Sequence, residues 1–266
     1  MLTKSHGLGN DYLVADPADL PFSVSPERVR LLCDRHVGVG SDGLLLLDGQ
    51  TGVRIFNPDG SEAEKSGNGL RIFSRWLYDT RRVGSERFTV HTLGGDAVAE
   101  VRGASVTVNM GVPRFREELA ELDVDGERLS VVVLSIGNPH CVILRDALDL
   151  TQLRRLGPLV EHHPAFPNRT NVQLARAVDR QHVELLIWER GAGETRASGS
   201  SACAVVAACH RLDLVDGQTD VIASMPGGQL QVRVDRQGSL WMSGPVEEVA
   251  HITLSADLIA RLRALP

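Results

Sequence analysis

The chain has 266 residues, 42% of them hydrophobic and 23% charged, with a formal charge of -6. That length suits one large domain or two lobes with separate cores. No cluster of Lys and Arg is long enough to track a phosphate backbone, no apolar run approaches a membrane span, and the first residues lack a basic start leading into an apolar stretch. The sequence therefore reads as a cytoplasmic protein that handles small molecules, with no nucleic acid and no membrane as partner. Its oligomeric state, monomer or homodimer, is left open.

The elements are mostly short β-rich runs bounded by Gly, Pro and Asp. In chain order the spacing predicts a strand over 53–56, a helix over 68–80, strands over 88–91, 97–101, 106–110, 131–136 and 183–188, a helix over 200–212, and strands over 221–224, 230–234 and 240–242. Only a tight connection fits between Val101 and Val106, so much of the sheet is expected to be antiparallel. In the first helix Leu70, Phe73, Trp76 and Leu77 share one face, whereas the second, around Ala202-Cys203-Ala204-Val205-Val206, is apolar almost all round and should cross a core.

The chain also resembles itself. At an offset of 132 residues Ser66 falls opposite Ser198, Gly67 opposite Gly199, Glu62 opposite Glu194 and Phe56 opposite Trp188; Gly9-Asn10 matches Gly137-Asn138 at 128. Each half runs from a Gly-Asn turn, through a strand with an aromatic end, to a Glu-x-x-x-Ser-Gly turn that opens a helix. Expected lobes are 1–115 and 116–252, followed by a C-terminal helix over 253–266 that packs on the first lobe.

Helix N-termini present unpaired N–H groups and a positive dipole end, which suit a carboxylate or phosphate. Ser66-Gly67-Asn68-Gly69 and Ser198-Gly199-Ser200-Ser201 both have that form, although serine is also an ordinary N-cap. The expectation is that the two turns face one cleft. Only Lys4 and Lys65 are lysines, and no motif accompanies them, so a Schiff-base pyridoxal enzyme is disfavoured and no cofactor is expected. Cys33, Cys141, Cys203 and Cys209 lack C-x-x-C spacing and read as buried thiols.

Several longer words occur in order: Lys4 to Tyr12 (KSHGLGNDY), Gly38 to Gly43 (GVGSDG), Arg54 to Ala63 (RIFNPDGSEA), Gly137-Asn138-Pro139-His140, His163 to Pro167 (HPAFP) and Trp188 to Thr195 (WERGAGET). With them the chain resembles the diaminopimelate epimerase family over nearly its whole length. The resemblance implies an α+β fold of two similar lobes, each a curled, mostly antiparallel sheet around a central helix. It also implies inversion of an amino-acid α-carbon without pyridoxal or metal, within lysine biosynthesis. It carries the α-carboxylate site onto Gly67, Asn68, Gly199 and Ser200, and assigns substrate contacts to Asn10, Asn57, Asn138, Asn171, Glu189 and Arg190. His140 and Glu189 match groups beside the catalytic pair.

The departure lies in that pair. The resemblance implies cysteine at both helix caps, but this chain has Ser66 and Ser198. A thiol titrates near 8.5 and is readily lowered at a helix N-terminus, whereas a hydroxyl needs an adjacent base. Three readings stay open: a Ser66/Ser198 epimerase with Ser66 assisted by His140 and Ser198 by Glu189; an isomerase or dehydratase of the same fold acting on another amino acid or hydroxy amino acid; and an amino-acid-binding relative without turnover. Gly43, where some members carry glutamine, alters the rim of the pocket.

Overall fold

A computed structural model of the chain describes residues 1–118 and 120–266. They form two compact units, Met1–Val108 with Pro245–Pro266, and Asn109–Gly244.

The first unit contains strands β1 (Leu2–Gly7) and β2 (Asn10–Ala15), helix α1 (Pro26–Cys33), strands β3 (Leu44–Asp48), β4 (Gly52–Phe56) and β5 (Glu62–Ala63), helix α2 (Gly67–Asp79), and strands β6 (Arg87–Thr92), β7 (Gly95–Arg102) and β8 (Ser105–Gly111). Most neighbours pair antiparallel, with parallel pairs at β2–β3 and β4–β6. Gly103, at φ +58°, supplies the left-handed residue that the two-residue β7–β8 turn needs.

The second unit opens with β9 (Arg114–Phe115) and a hairpin of β10 (Glu121–Val124) and β11 (Glu127–Ser130), and then repeats the plan of the first. Its elements are β12 (Val132–Ser135), β13 (Pro139–Leu144), α3 (Leu150–Glu161), β14 (Asn171–Asp179), β15 (His182–Glu189), β16 (Gly193–Thr195), α4 (Gly199–Arg211), β17 (Val221–Met225), β18 (Gly228–Val234) and β19 (Leu240–Pro245). The parallel pairs recur at equivalent places, β13–β14 and β15–β17. β20 (Glu247–Ile252) then pairs with β1, and α5 (Ala256–Ala264) contributes Leu262 to a core with Leu2, Leu13, Val29, Leu32 and Leu44. The units divide at 108/109 and 244/245, where the sequence places its boundaries at 115/116 and 252/253; β20 sits in the first unit because its hydrogen bonds run to β1.

Each unit wraps its sheet around one helix. In α2 every residue from Gly67 to Ser74 is buried, so the single apolar face of the sequence pattern understates its burial. Arg71 is wholly buried among them, and Gly7 explains how: a Cβ there would stand 2.8 Å from the Arg71 guanidinium. In α4 the small residues Ala202 to Cys209 are all buried, as its unbroken apolar pattern implies, and they let surrounding strands approach closely. Each fully buried Leu, Ile or Phe in these cores contributes about 1.5–3 kcal/mol. Among the described residues no helix is long and apolar enough to cross a membrane.

Candidate active site

In the first unit Ser66 is the N-cap of α2, and its Oγ accepts from the Gly69 N–H at 3.0 Å. The cap backbone is extended, and a Cβ at Gly69 would stand 3.1 Å from both Leu45 Cδ2 and Ser66 Cβ, so glycine lets the first turn pack closely there. Tyr12 Oη lies 3.3 Å from Ser66 Oγ. Beside the cap a run of amides has fixed polarity. Arg71 donates to Asn68 Oδ1 at 2.9 Å, Asn68 Nδ2 to Asn10 Oδ1 at 3.0 Å, and Asn10 Nδ2 to Asp42 Oδ2 at 3.0 Å. A buried cation at one end and a carboxylate at the other allow only that direction. Asp42 and Asp11 are both bound by Arg35, and Asp11 also by Lys4 at 3.0 Å. Burial pushes the Asp11 carboxyl up, but its hydrogen bonds with Arg35, Lys4 and Asp42 outweigh this, and the net direction is down. Lys4 also donates to the Gly40 carbonyl at 2.6 Å.

Asn57 stands apart. Its Nδ2 donates to Ser61 Oγ at 3.0 Å and its backbone closes the 57–61 turn, so its side chain makes no hydrogen bond to the Asn10–Asn68 pair.

In the second unit Ser198 caps α4 and is more deeply buried than Ser66. Its Oγ lies 3.5 Å from the Ser201 N–H and 3.4 Å from Ser200 Oγ, while its own N–H points to Met225 Sδ. Asn138 Nδ2 donates to Ser200 Oγ at 3.4 Å, and Asn138 Oδ1 lies 3.0 Å from His140 Nε2. Gln173 Nε2 reaches both His140 Nδ1, at 3.1 Å, and Ser201 Oγ, at 3.0 Å. An amide donor at Nδ1 and an amide acceptor at Nε2 define the tautomer with hydrogen on Nε2. Desolvation holds the His140 imidazole down to about 3, with Arg190 acting in the same direction, so the ring is neutral at physiological pH. His140 thus touches Asn138 and Gln173 directly, and connects to Ser198 through Asn138 and Ser200.

The turn that carries Arg190 has its own scaffold. Asn171 donates to the Pro139 carbonyl at 2.8 Å and accepts from the Arg190 N–H at 3.0 Å. Glu161, at the end of α3, accepts from Trp188 Nε1 and the Gly191 N–H, each at 2.8 Å. Gly157 makes room for the Trp188 ring, since a Cβ there would fall 2.6 Å from it. The half-buried Arg190 guanidinium has no hydrogen bond or ion pair among the described residues and is free to meet an anion. Glu189 ends β15 opposite Gly193.

The structure therefore brings Asn10, Ser66, Gly67 and Asn68 together in one unit and Asn138, His140, Ser198, Gly199 and Ser200 in the other, with Asn171, Glu189 and Arg190 at the end of the β14–β15 pair. Sequence reading missed Tyr12, Asp42, Gln173, Ser201 and Glu161. Tyr12 falls opposite His140 at the 128-residue offset, and Gln173 follows Asn171 by two residues on a strand, hence on the same face. Asp42 lies within the word GVGSDG and Ser201 within the second helix start, while Glu161 had no distinguishing signal. Cys33, Cys141, Cys203 and Cys209 are buried, with burial pushing the Cys209 thiol up to about 12, so none replaces the missing thiols at the helix caps.

The family model described as diaminopimelate epimerase matches residues 2–116 and 132–249. "Diaminopimelate epimerase 2" of Nostoc sp. is 43% identical, covering 97% of this chain and 96% of its own; the diaminopimelate epimerase of Azotobacter vinelandii is 41% identical, covering 93% and 96%. In fold alone, a hydroxyproline epimerase from Agrobacterium vitis matches with TM-score 0.70 and 16% identity, over 94% of this chain and 90% of that one. A phenazine biosynthesis protein from Bacillus anthracis matches with TM-score 0.68 and 17% identity, over 94% and 97%. On sequence, repeat architecture and fold together, the chain belongs to the diaminopimelate epimerase family.

Proposed function

We propose that this protein epimerises diaminopimelate, or an amino acid with the same arrangement of polar groups, by removing a proton from the α-carbon and returning one to the opposite face. The observation that carries the reading is the repeated helix start. Ser66 and Ser198, one in each unit, cap buried helices, and in each unit an asparagine from the preceding Gly-Asn turn bonds a side chain in the helix's first turn, Asn10 to Asn68 and Asn138 to Ser200. The reading requires one substrate α-carboxylate to meet both helix N-termini. Those N–H groups and dipole ends then stabilise the charge that spreads from the α-carbon onto the carboxylate as the proton leaves. Ser66 and Ser198 serve as the base and acid on either side of that carbon, with His140 and Glu189 as neighbouring groups. Asn10, Asn57, Asn171, Glu189 and the unengaged Arg190 hold the remaining polar groups of the substrate. No pyridoxal is called for, and Lys4 is already bound to Asp11. The reading places the enzyme in the cytoplasm, in lysine biosynthesis, without nucleic-acid partners.

The test is to incubate the protein with one stereoisomer of diaminopimelate and resolve the products by chiral chromatography; appearance of a second stereoisomer is expected. One observation favours a second reading, a binding protein without turnover: both caps carry hydroxyls, which are poorer bases than thiolates. Calorimetric binding without epimerisation, followed by turnover in a Ser66→Cys, Ser198→Cys double variant, would establish that second reading.

A further inference from the structure

The two caps are not equivalent. Ser198 has hydroxyl and amide neighbours, whereas Ser66 has a phenol: Tyr12 Oη is 3.3 Å from Ser66 Oγ. The position is favoured by more than proximity. Tyr12 is buried, and a Cβ at Gly43 would fall 2.6 Å from its Cε1 and 2.4 Å from the Phe56 carbonyl, so Gly43 is what leaves room for this ring. At the 128-residue offset Tyr12 is also the repeat mate of His140, which puts a titratable ring at the same point of β2 and β13. In the second unit that ring is held between Gln173 and Asn138; in the first it lies directly against the capping hydroxyl.

We propose that Tyr12 is the proton-sharing partner of Ser66, the group that lets a serine hydroxyl stand at this cap as acid and base. The inference rests on the epimerase reading. When Ser66 acts as acid, its O–H bond breaks as a C–H bond forms at the α-carbanion, and the Tyr12 phenol proton moves onto Ser66 Oγ, leaving a phenolate. In the reverse direction the α C–H bond breaks, its electron pair stays on carbon, its proton goes to Ser66 Oγ, and the original serine proton returns to the phenolate. Charge and protons balance in both directions. A phenol is a much stronger acid than an aliphatic hydroxyl, so the relay avoids a free serine alkoxide.

The decisive experiment is a double-mutant cycle read by α-proton exchange. Tyr12→Phe should lower kcat on the order of a hundredfold in the Ser66 protein, with KM little changed. In the Ser66→Cys protein, where a thiolate needs no phenol, the loss should be at least about tenfold smaller. Equal losses in both backgrounds would mean that Tyr12 only packs, and would overturn the inference. A second measurement needs no turnover. The chain has two tyrosines, Tyr12 and Tyr78, so ring-labelled tyrosine gives two resolvable 13Cζ signals. Ser66→Gly, which keeps the helix cap, should move the Tyr12 signal and leave Tyr78 in place; Ser66→Ala repeats the test if the glycine variant folds poorly. An unmoved Tyr12 signal overturns the inference whatever the turnover, while a moved signal in a protein that exchanges no α-proton overturns the epimerase reading and leaves the Tyr12–Ser66 contact standing.

Discussion

His140 shows how an individual side chain is governed by its surroundings rather than by its type. Buried completely and bracketed by two amides, it stays neutral down to about pH 3, while in the unfolded chain it takes a proton near 6.5. Below pH 6.5 the unfolded state therefore binds more protons, and stability falls as pH falls from 6.5 toward 3. Urea unfolding at a series of pH values should show wild-type stability dropping more steeply than that of His140→Gln across this window, by up to about 1.4 kcal/mol per pH unit. Parallel curves would mean that His140 is protonated in the fold. Arg190 represents the opposite case, a half-buried cation with no ion pair among the described residues. Arg190→Ala should weaken diaminopimelate binding by about 2–5 kcal/mol in calorimetry if the guanidinium meets a substrate carboxylate, and hardly at all if it stays in water. The sequence words marked His140 and Arg190 but not their supports. Gln173 shares a strand face with Asn171, but its bond to His140 forms only once β14 lies beside β13, and Glu161 becomes visible only once α3 packs on Trp188, because those contacts join residues far apart in the chain.

The repeat extends to the way its helices end. After α2 and α4 the chain turns through Arg81, at φ +56°, and Asp213, at φ +55°, which lie 132 residues apart. The N–H of Arg82 returns to the Leu77 carbonyl and that of Leu214 to Cys209, each at 2.9 Å. Glycine adopts this left-handed position freely, whereas other L-residues are strained there by roughly 1–2 kcal/mol. Arg81→Gly and Asp213→Gly should each raise stability by about 1 kcal/mol, seen as a higher Tm. A lower Tm in both would show that side-chain contacts outweigh backbone strain. Helices α2 and α4 were legible because apolar periodicity and Ser-Gly starts are local signals. Strands β1, β2, β3 and β14 were less so. In β1, β2 and β14 the apolar residues are interrupted by polar and charged ones, and β3, four buried leucines in a row, lacks the alternation that identifies exposed strands. The β10–β11 hairpin is likewise short and bounded by charge, and its Leu122, Val124 and Leu129 gain meaning only against Leu153, Leu156 and Val160 of α3.

For the molecule as a whole, the internal repeat carried the most information. It marks two Gly-Asn turns, two helix starts and two capping serines, and the strand pairings reproduce that plan in both units. The repeat does not show how alike the two caps are, and they differ: Ser66 faces a phenol and a run of amides anchored by Arg71 and Asp42, whereas Ser198 sits in a network of Ser200, Ser201, Asn138 and His140. Two unlike caps suit a reaction in which one removes a proton while the other supplies one. The most direct measurement is mass spectrometry of diaminopimelate after incubation with the protein in deuterated water. The account predicts solvent deuterium at the α-carbon, appearing together with the inverted stereoisomer; substrate recovered without deuterium from protein shown to bind it would contradict the account.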